Sequence, residues 1–295
     1  MKNKYFFSFL LAMLMALPST AQVRQLQVWR GGAIVQSFAT TQIDSVTFSV
    51  ISEPGTGGSA SEPKVYTVNG VSFKMIPVEG GAFIMGATAE QGTDVCENEE
   101  PTHPVRLSSY AIGETEVTQE LWKAVMGTNP SYFSGNQLPV EQVSWNDCQT
   151  FITKLNQLTG ANFRLPTEAE WEFAARGGNK SLGYRYAGSN IIRAVAWFEN
   201  NSISKSHAVA QKQPNELGLY DMSGNVNEWC QDWYGLYGSA TQTDPTGPVT
   251  GSDRVMRGGD NASAASFCRL SYRLSYDPAC RTGLIGLRLA LPNLQ

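Results

Sequence analysis

Helix signals are few in this chain, and they restrict the folds that it can adopt. Three stretches carry a helix start, and in each a polar cap residue precedes an apolar pattern. Thr118 precedes QELWKAVMG, and Ser144 precedes WNDCQTFITKLNQLTG with Asp147 at the third helical position. Thr167 and Glu170 form a capping box in PTEAEWEFAARGG. We therefore predict three short helices within a long chain.

The remaining sequence favours loops and short strands. Gly160 and Gly177 are placed to end the second and third helices, and SFKMIPV and FIMG are short strand candidates. Between these elements the chain is punctuated by Gly, Pro and Asn. The pattern predicts an α+β domain with little regular secondary structure. Such a domain needs buried aromatic side chains, bound ions or disulfides to order its loops.

The N-terminal sequence predicts export and a separate small module. Residues 1–21 combine Lys2 and Lys4, an apolar run and a small-residue cleavage site, as a signal peptide does. The apolar run is short for a bilayer span, so we expect no transmembrane span in the mature chain and a periplasmic, cell-surface or secreted location. Residues 22–52 predict two strands around Arg30 and a third at Asp44–Val50. Residues 53–64 form a Gly/Ser/Pro linker, and residues 65–292 form the main domain.

Charge and composition argue against several function classes. The net charge is −4 without a basic patch, which argues against nucleic-acid binding. Two His residues leave little material for a His-rich metal site or a Ser/His/Asp triad. Five Cys in an exported chain permit disulfides, but the odd number leaves at least one thiol without an intramolecular partner.

A series of motifs resembles one known family. GGAFIMG, EEPTHPVRLSSYAIGETEVTQELW, PVEQVSWNDC, FRLPTEAEWEFAARGG, GLYDMSGNVNEWCQDWY, RVMRGG and GLRLA occur in the order typical of the formylglycine-generating enzyme (sulfatase-modifying factor) family. The resemblance runs from Val71 to Ala290 and implies a C-type-lectin-like fold. Members of this family include copper oxidases that convert a sulfatase Cys to formylglycine, iron enzymes and non-enzymatic binding proteins. The fold therefore leaves the function to be decided from the sites.

The motif DMSGNVNEW resembles the calcium loop of that family. The resemblance implies that Asp221 and Glu228 supply side-chain oxygens and that Gly224 and Val226 supply backbone carbonyls. Calcium prefers such hard oxygen ligands. We predict a structural calcium ion here. The alternative is that Asp221 opens a turn and Glu228 lies on a solvated face.

The oxidase centre of the family is incomplete in this sequence. Its enzymes hold copper(I) with two Cys five residues apart, and here those positions are Ser263 and Cys268. Copper(I) prefers sulfur ligands, so one hydroxyl in place of a thiolate argues against copper and against formylglycine formation. If the chain is an enzyme, Cys268 is the catalytic candidate. His103 and His207 lie at ordinary family positions, and no set of three iron ligands is visible.

The last part of the chain has an unusual composition. From Gly258 to Leu294 it contains no Lys, Glu, Gln, Met or Trp. In non-enzymatic relatives this part resembles a stretch rich in Asn codons, and some of those proteins are variable proteins of diversity-generating retroelements. Randomising the adenines of an AAC codon gives NNC, which cannot encode those five residue types. Drift in a short segment is the alternative.

The resemblance divides residues 258–288, which we call the variable segment, into two sets. The framework positions, with Arg257 before the segment, are Arg257, Gly258, Gly259, Cys268, Arg269, Arg273, Pro278, Arg281, Gly286 and Arg288. The positions predicted to vary and to bind a ligand are Ala262, Ser263, Ala264, Phe267, Tyr272, Leu274, Ser275, Tyr276, Cys280, Thr282, Gly283 and Leu284. Tyr with small residues resembles the composition of antibody loops. We expect all the varying positions at the surface.

These observations predict an exported ligand-binding protein with a variable surface. The expected partner is a protein or glycan at a cell surface. The alternatives are a formylglycine-generating oxidase and a structural component of an envelope complex.

Overall fold

The N-terminal part that is described consists of two antiparallel strands. The computed structural model describes residues 25–30, 33–39 and 62–292. Strand β1 (Gln25–Arg30) pairs with β2 (Ala33–Ala39), as the pattern around Arg30 predicted. The predicted signal segment, the third strand at Asp44–Val50 and linker residues 53–61 lie outside the described residues. Contacts divide the chain into one unit that ends at Gly57 and a second that begins at Gly58, and we describe each by itself.

The three helices predicted from their caps are present in the second unit. They are α1 (Gln119–Met126), α2 (Trp145–Thr159) and α3 (Glu168–Ala175). The side chains of Thr118, Ser144 and Thr167 each accept a hydrogen bond from the backbone N–H three residues later. Two helices of one turn, α4 (Ile192–Val195) and α5 (Glu199–Ser202), were not predicted.

Short strands form three small sheets in this unit. In sheet order, the first contains β13 (Ala290–Pro292), β7 (Tyr110–Gly113), β4 (Val71–Val78) and β3 (Lys64–Val68). The second contains β11 (Arg273–Tyr276), β10 (Arg254–Arg257), β8 (Asn227–Trp233) and β12 (Ile285–Leu287). The third contains β5 (Gly81–Met85), β6 (His103–Leu107) and β9 (Gln242–Thr243). The domain is therefore α+β with long connecting loops, as predicted.

Two apolar clusters form most of the core. The first includes the buried faces of α1 and α2, where the rings of Trp122 and Phe151 stack with centroids 4.8 Å apart. The second surrounds α3 and includes Trp171 and Phe173. Both clusters exclude water from the sheet faces, so the sheets are positioned by burial of apolar surface.

Buried ion pairs order the loops, and the sequence patterns did not indicate them. Four fully buried arginines each contact a glutamate, and the pairs are Arg257–Glu172, Arg269–Glu99, Arg273–Glu168 and Arg288–Glu228. Removing one partner of such a pair leaves an uncompensated buried charge, which typically costs about 3–5 kcal/mol. Within residues 62–292 all five Cys are unpaired, so disulfides, one of the three possibilities for ordering the loops, do not contribute there.

No helix in the described ranges is both long and apolar enough to cross a membrane.

Candidate functional site

The variable segment follows a winding path on one side of the domain. It leaves β10 through Gly258 and Gly259, whose φ angles of 99° and 71° lie in the left-handed region that favours glycine. It then passes through a single helical turn at Ala265–Cys268, strand β11 and a loop that leads into β12. Strand β11 is at the edge of its sheet, and no other strand of the described residues pairs with its outer side.

The framework positions of the segment are mostly buried. The buried members are Arg257, Gly258, Gly259, Cys268, Arg269, Arg273, Gly286 and Arg288, whereas Pro278 is half-buried and Arg281 is exposed. The arginines are held by the ion pairs described above, and Arg281 forms an ion pair with Asp147 at 2.6 Å. Substitution of these buried arginines would therefore break ion pairs that hold the loops.

The positions predicted to vary lie mainly at the surface. Ala262, Phe267 and Tyr276 are exposed, and Ser263, Ala264, Leu274, Ser275, Cys280, Thr282, Gly283 and Leu284 are half-buried. Tyr272 is different, because only 9% of its surface is exposed and its ring packs on Phe267 with centroids 4.8 Å apart. The expectation that Tyr272 lies at the surface is therefore wrong. Its ring packs on Phe267 after a turn in which its N–H donates to the carbonyl of Arg269 at 3.2 Å.

Backbone hydrogen bonds attach the variable positions to the rest of the domain. The carbonyl of Thr282 accepts from the N–H of Gln142 at 2.9 Å, and the carbonyl of Leu284 accepts from the N–H of Asn227 at 2.8 Å. The carbonyl of Ser263 accepts from the N–H of Glu199 at 3.1 Å. A side-chain substitution leaves these bonds in place. The segment can therefore change its side chains without losing its main-chain anchors.

The predicted calcium ligands lie in a buried acidic region. Asp221 is 3% exposed, its Oδ2 accepts from the N–H of Ala210 at 2.8 Å, and its Oδ1 is buried without a hydrogen-bond partner. Burial raises the pKa of Asp221 to about 6. Gly224 has a φ of 80°, and a Cβ there would lie 2.2 Å from the carbonyl oxygen of Trp197. The loop therefore requires glycine at this position.

Glu228 is fully buried rather than on a solvated face. Its carboxylate accepts from the guanidinium of Arg288 at 2.7 Å and from the indole N–H of Trp171 at 2.7 Å. Asp221 therefore has a free oxygen that fits a hard cation, whereas the oxygens of Glu228 are already engaged. Among the described residues no group of three or more His, Cys, Asp or Glu side chains is placed to hold a metal ion. Calcium at this loop stays a prediction.

Glu116 is a buried carboxylate in this region that sequence reasoning missed. It accepts from the amide of Asn225 at 2.8 Å and from the N–H of Val226 at 3.2 Å. Burial, followed by the charges of Asp221 and Glu228, raises its pKa well above the usual range. No local pattern distinguishes Glu116 from the half-buried Glu114 and Glu120, so only the tertiary structure identifies it.

The cysteine of the incomplete oxidase motif is in an environment that opposes a thiolate. Cys268 is fully buried, and burial with the charges of Asp260 and Glu199 raises its pKa far above the usual range. Ser263 uses its hydroxyl to accept from the N–H of Asp260 at 3.1 Å. A copper(I) site needs thiolate ligands, and these two residues do not fit one.

The two histidines occupy separate local environments. In His103, Nδ1 lies 3.2 Å from the carbonyl oxygen of Pro101, and the ring packs on Tyr237. In His207, Nε2 lies 2.8 Å from the carbonyl oxygen of Ser202, and the ring stacks on Trp197.

Comparison with known proteins identifies the family. Residues 62–292 match the family described as "Sulfatase-modifying factor enzyme 1-like domain". The chain belongs to this family. Among curated relatives, it is 34% identical to "Chaperone protein LppX" of Paenibacillus barcinonensis, with 70% of this chain and 85% of that protein covered. It is 30% identical to "Formylglycine-generating enzyme" of Streptomyces coelicolor, with 73% and 88% covered.

A solved structure of this family extends the comparison. "Treponema denticola variable protein 1" superposes with a TM-score of 0.70 at 36% sequence identity, with 79% of this chain and 100% of that chain covered. The sulfatase-modifying-factor fold, which is C-type-lectin-like, is therefore confirmed. Relatives named for different functions belong to the same family, so the family alone does not assign an activity.

Proposed function

We propose that this family member is an exported binding protein and that its variable segment forms the recognition surface. The observation that carries the proposal is the division of that segment by burial. Every position predicted to vary except Tyr272 is exposed or half-buried, whereas the framework positions except Pro278 and Arg281 are buried. A protein whose residues are diversified needs the varying positions at the surface and the framework positions in the interior. Surface substitutions usually change the free energy of unfolding by less than about 0.5 kcal/mol.

The chemistry of the surface supports recognition of a partner. Phe267 and Tyr276 are 41% and 47% exposed, and small residues such as Ala262, Ser263 and Ser275 occupy other positions predicted to vary. Aromatic side chains supply rigid contact area at low entropic cost, and small residues allow close approach. The partner class that fits is a protein or glycan outside the cell. Export itself is proposed from the signal-type N-terminal sequence.

The comparison with a protein named as variable supports the same proposal, because the match covers the whole of that chain. The relatives named as formylglycine-generating enzymes favour an oxidase by identity alone. The residues at the oxidase positions argue against it. Ser263 cannot supply a thiolate, and burial holds Cys268 in its thiol form.

Sequencing the gene and its surroundings in many isolates tests the proposal. We expect coding differences at the positions predicted to vary, few at the framework positions, and a nearby untranslated near-copy that differs at adenines. A reverse-transcriptase gene should lie close by. Differences spread evenly over both sets, or a locus without the near-copy, would contradict diversification.

A turnover assay provides the biochemical control. The purified protein with copper(I) and oxygen should leave a Cys-containing sulfatase peptide unchanged, with the Streptomyces coelicolor relative as the positive control. Conversion of the peptide by the unmodified protein would overturn the proposal and establish the oxidase.

A further inference from the structure

A cavity lies away from the variable positions, at the start of α3 and the end of β8. Its volume is about 470 Å³, within the range of small-molecule sites. Its other walls come from β6, from the loop that follows β8 and from the start of β11. None of the positions predicted to vary lines it. A ligand here would therefore contact the framework residue Arg273 of the variable segment but none of the positions predicted to vary.

Asp232 presents a free carboxylate oxygen at this cavity. Its side chain is almost fully buried, and its Oδ2 accepts from the N–H of Glu168 at 2.9 Å. Within residues 62–292 no side-chain or backbone hydrogen bond reaches Oδ1. Gly247 also lines the cavity, and a Cβ built there would lie 3.1 Å from that oxygen. The absence of a side chain at Gly247 leaves Oδ1 uncovered on that side.

The other acidic groups near the cavity are neutralised. Glu168 forms a bidentate pair with Arg273, with Nε–Oε1 2.7 Å and Nη2–Oε2 2.6 Å. Glu172 pairs with Arg257. Asp232 takes part in none of the ion pairs of the described residues. A buried carboxylate without a cation is costly unless it is protonated or a ligand supplies the charge.

We propose that this cavity binds a small organic cation, with Asp232 as the carboxylate that receives its N–H groups. A charge-assisted hydrogen bond to an amidinium, guanidinium or ammonium group satisfies Oδ1 and compensates the buried charge. A neutral ligand of the same shape does not compensate the charge of Asp232, and an anion is repelled by the ionised carboxylate. The site is therefore selective for cations.

Binding of the cation depends on the ionisation of Asp232. Burial, followed by the charge of Glu168, raises the pKa of Asp232 to about 8. Asp232 is therefore protonated in most molecules at pH 7 and ionised in most molecules at pH 9. Because only the ionised form binds the cation, the affinity rises roughly tenfold over this interval. The other titratable or charged groups that face Asp232 are Glu168, Glu170, Arg164, Cys230, Arg254, Arg273, Tyr237 and His103.

Benzamidinium and benzamide form a matched pair of probes for the full chain. They have nearly the same shape, but only benzamidinium is charged between pH 7 and pH 9. Titration calorimetry should show benzamidinium binding that tightens roughly tenfold over this range and releases a proton at pH 7. Benzamide should bind at least tenfold more weakly at pH 9. Equal affinity for both probes, or an affinity that does not change with pH, would refute the proposal.

Three variants assign the binding to Asp232. Asp232→Asn keeps an oxygen for the N–H of Glu168 and should lose the binding and its pH response. Glu141→Gln is the control, because Glu141 is also buried with an unpaired oxygen but does not line the cavity. If Asp232→Asn does not fold, Thr246→Trp fills the cavity from an exposed lining position and should abolish binding. Retained binding in Thr246→Trp would contradict the proposal, as would a pH response that persists in folded Asp232→Asn.

Discussion

Tyr272 and Tyr276 lie four residues apart in the variable segment, but Tyr272 is buried and Tyr276 is exposed. Replacing each one separately by Ala should therefore reduce the free energy of unfolding by different amounts. Tyr272 is 9% exposed and packs on Phe267, whereas Tyr276 is 47% exposed. A buried aromatic side chain removes about 150–250 Å² from water. At about 25 cal/mol per Å², and with the Cβ retained in Ala, the loss at Tyr272 is about 3 kcal/mol. The loss at Tyr276 should stay below about 1 kcal/mol.

Urea unfolding and thermal melts measure this difference directly. For a domain of this size, about 1 kcal/mol corresponds to roughly 2–4 °C in Tm. Tyr272→Ala should therefore lower Tm by roughly 6–12 °C, and Tyr276→Ala by less than about 4 °C. Tyr272→Phe is the matched control, because it keeps the ring and should remain within about 1 kcal/mol of the wild type. Equal losses for the two Ala variants would show that burial does not divide the segment as described.

Two further predictions concern the acidic groups. If calcium binds at the predicted loop, removing it with EGTA should lower Tm, and Asp221→Ala should abolish that response; an unchanged wild-type Tm would contradict the calcium assignment. The second concerns Asp147, whose pKa is lowered to about 2, first by its hydrogen bond with Arg281. Because this pKa lies below the ordinary value of 3.8, the stabilisation is present above about pH 4 and is lost as the pH falls through about 2. Asp147→Asn should flatten the stability profile in that window, and a profile identical to the wild type would contradict it.

The capped helices could be predicted from the sequence because their signals are local. A capping box joins residues three apart, as Ser144 and Asp147 do, and the chain needs no other part of the protein to form it. The family motifs likewise indicate the fold through their order, and the resemblance alone separates the framework positions of the variable segment from the varying ones. Of the positions predicted to vary, Tyr272 alone is buried, and the sequence did not indicate that exception.

The tertiary structure decided which distant groups meet. Arg269 pairs with Glu99 across 170 residues, and no periodicity or spacing specifies that contact. The burial of Tyr272 and the uncovered Oδ1 of Asp232 beside Gly247 likewise depend on how the folded chain packs. Burial changes the energy of each charged group according to the groups packed around it. The protonation and pairing of the buried carboxylates can therefore be inferred only when those neighbours are known.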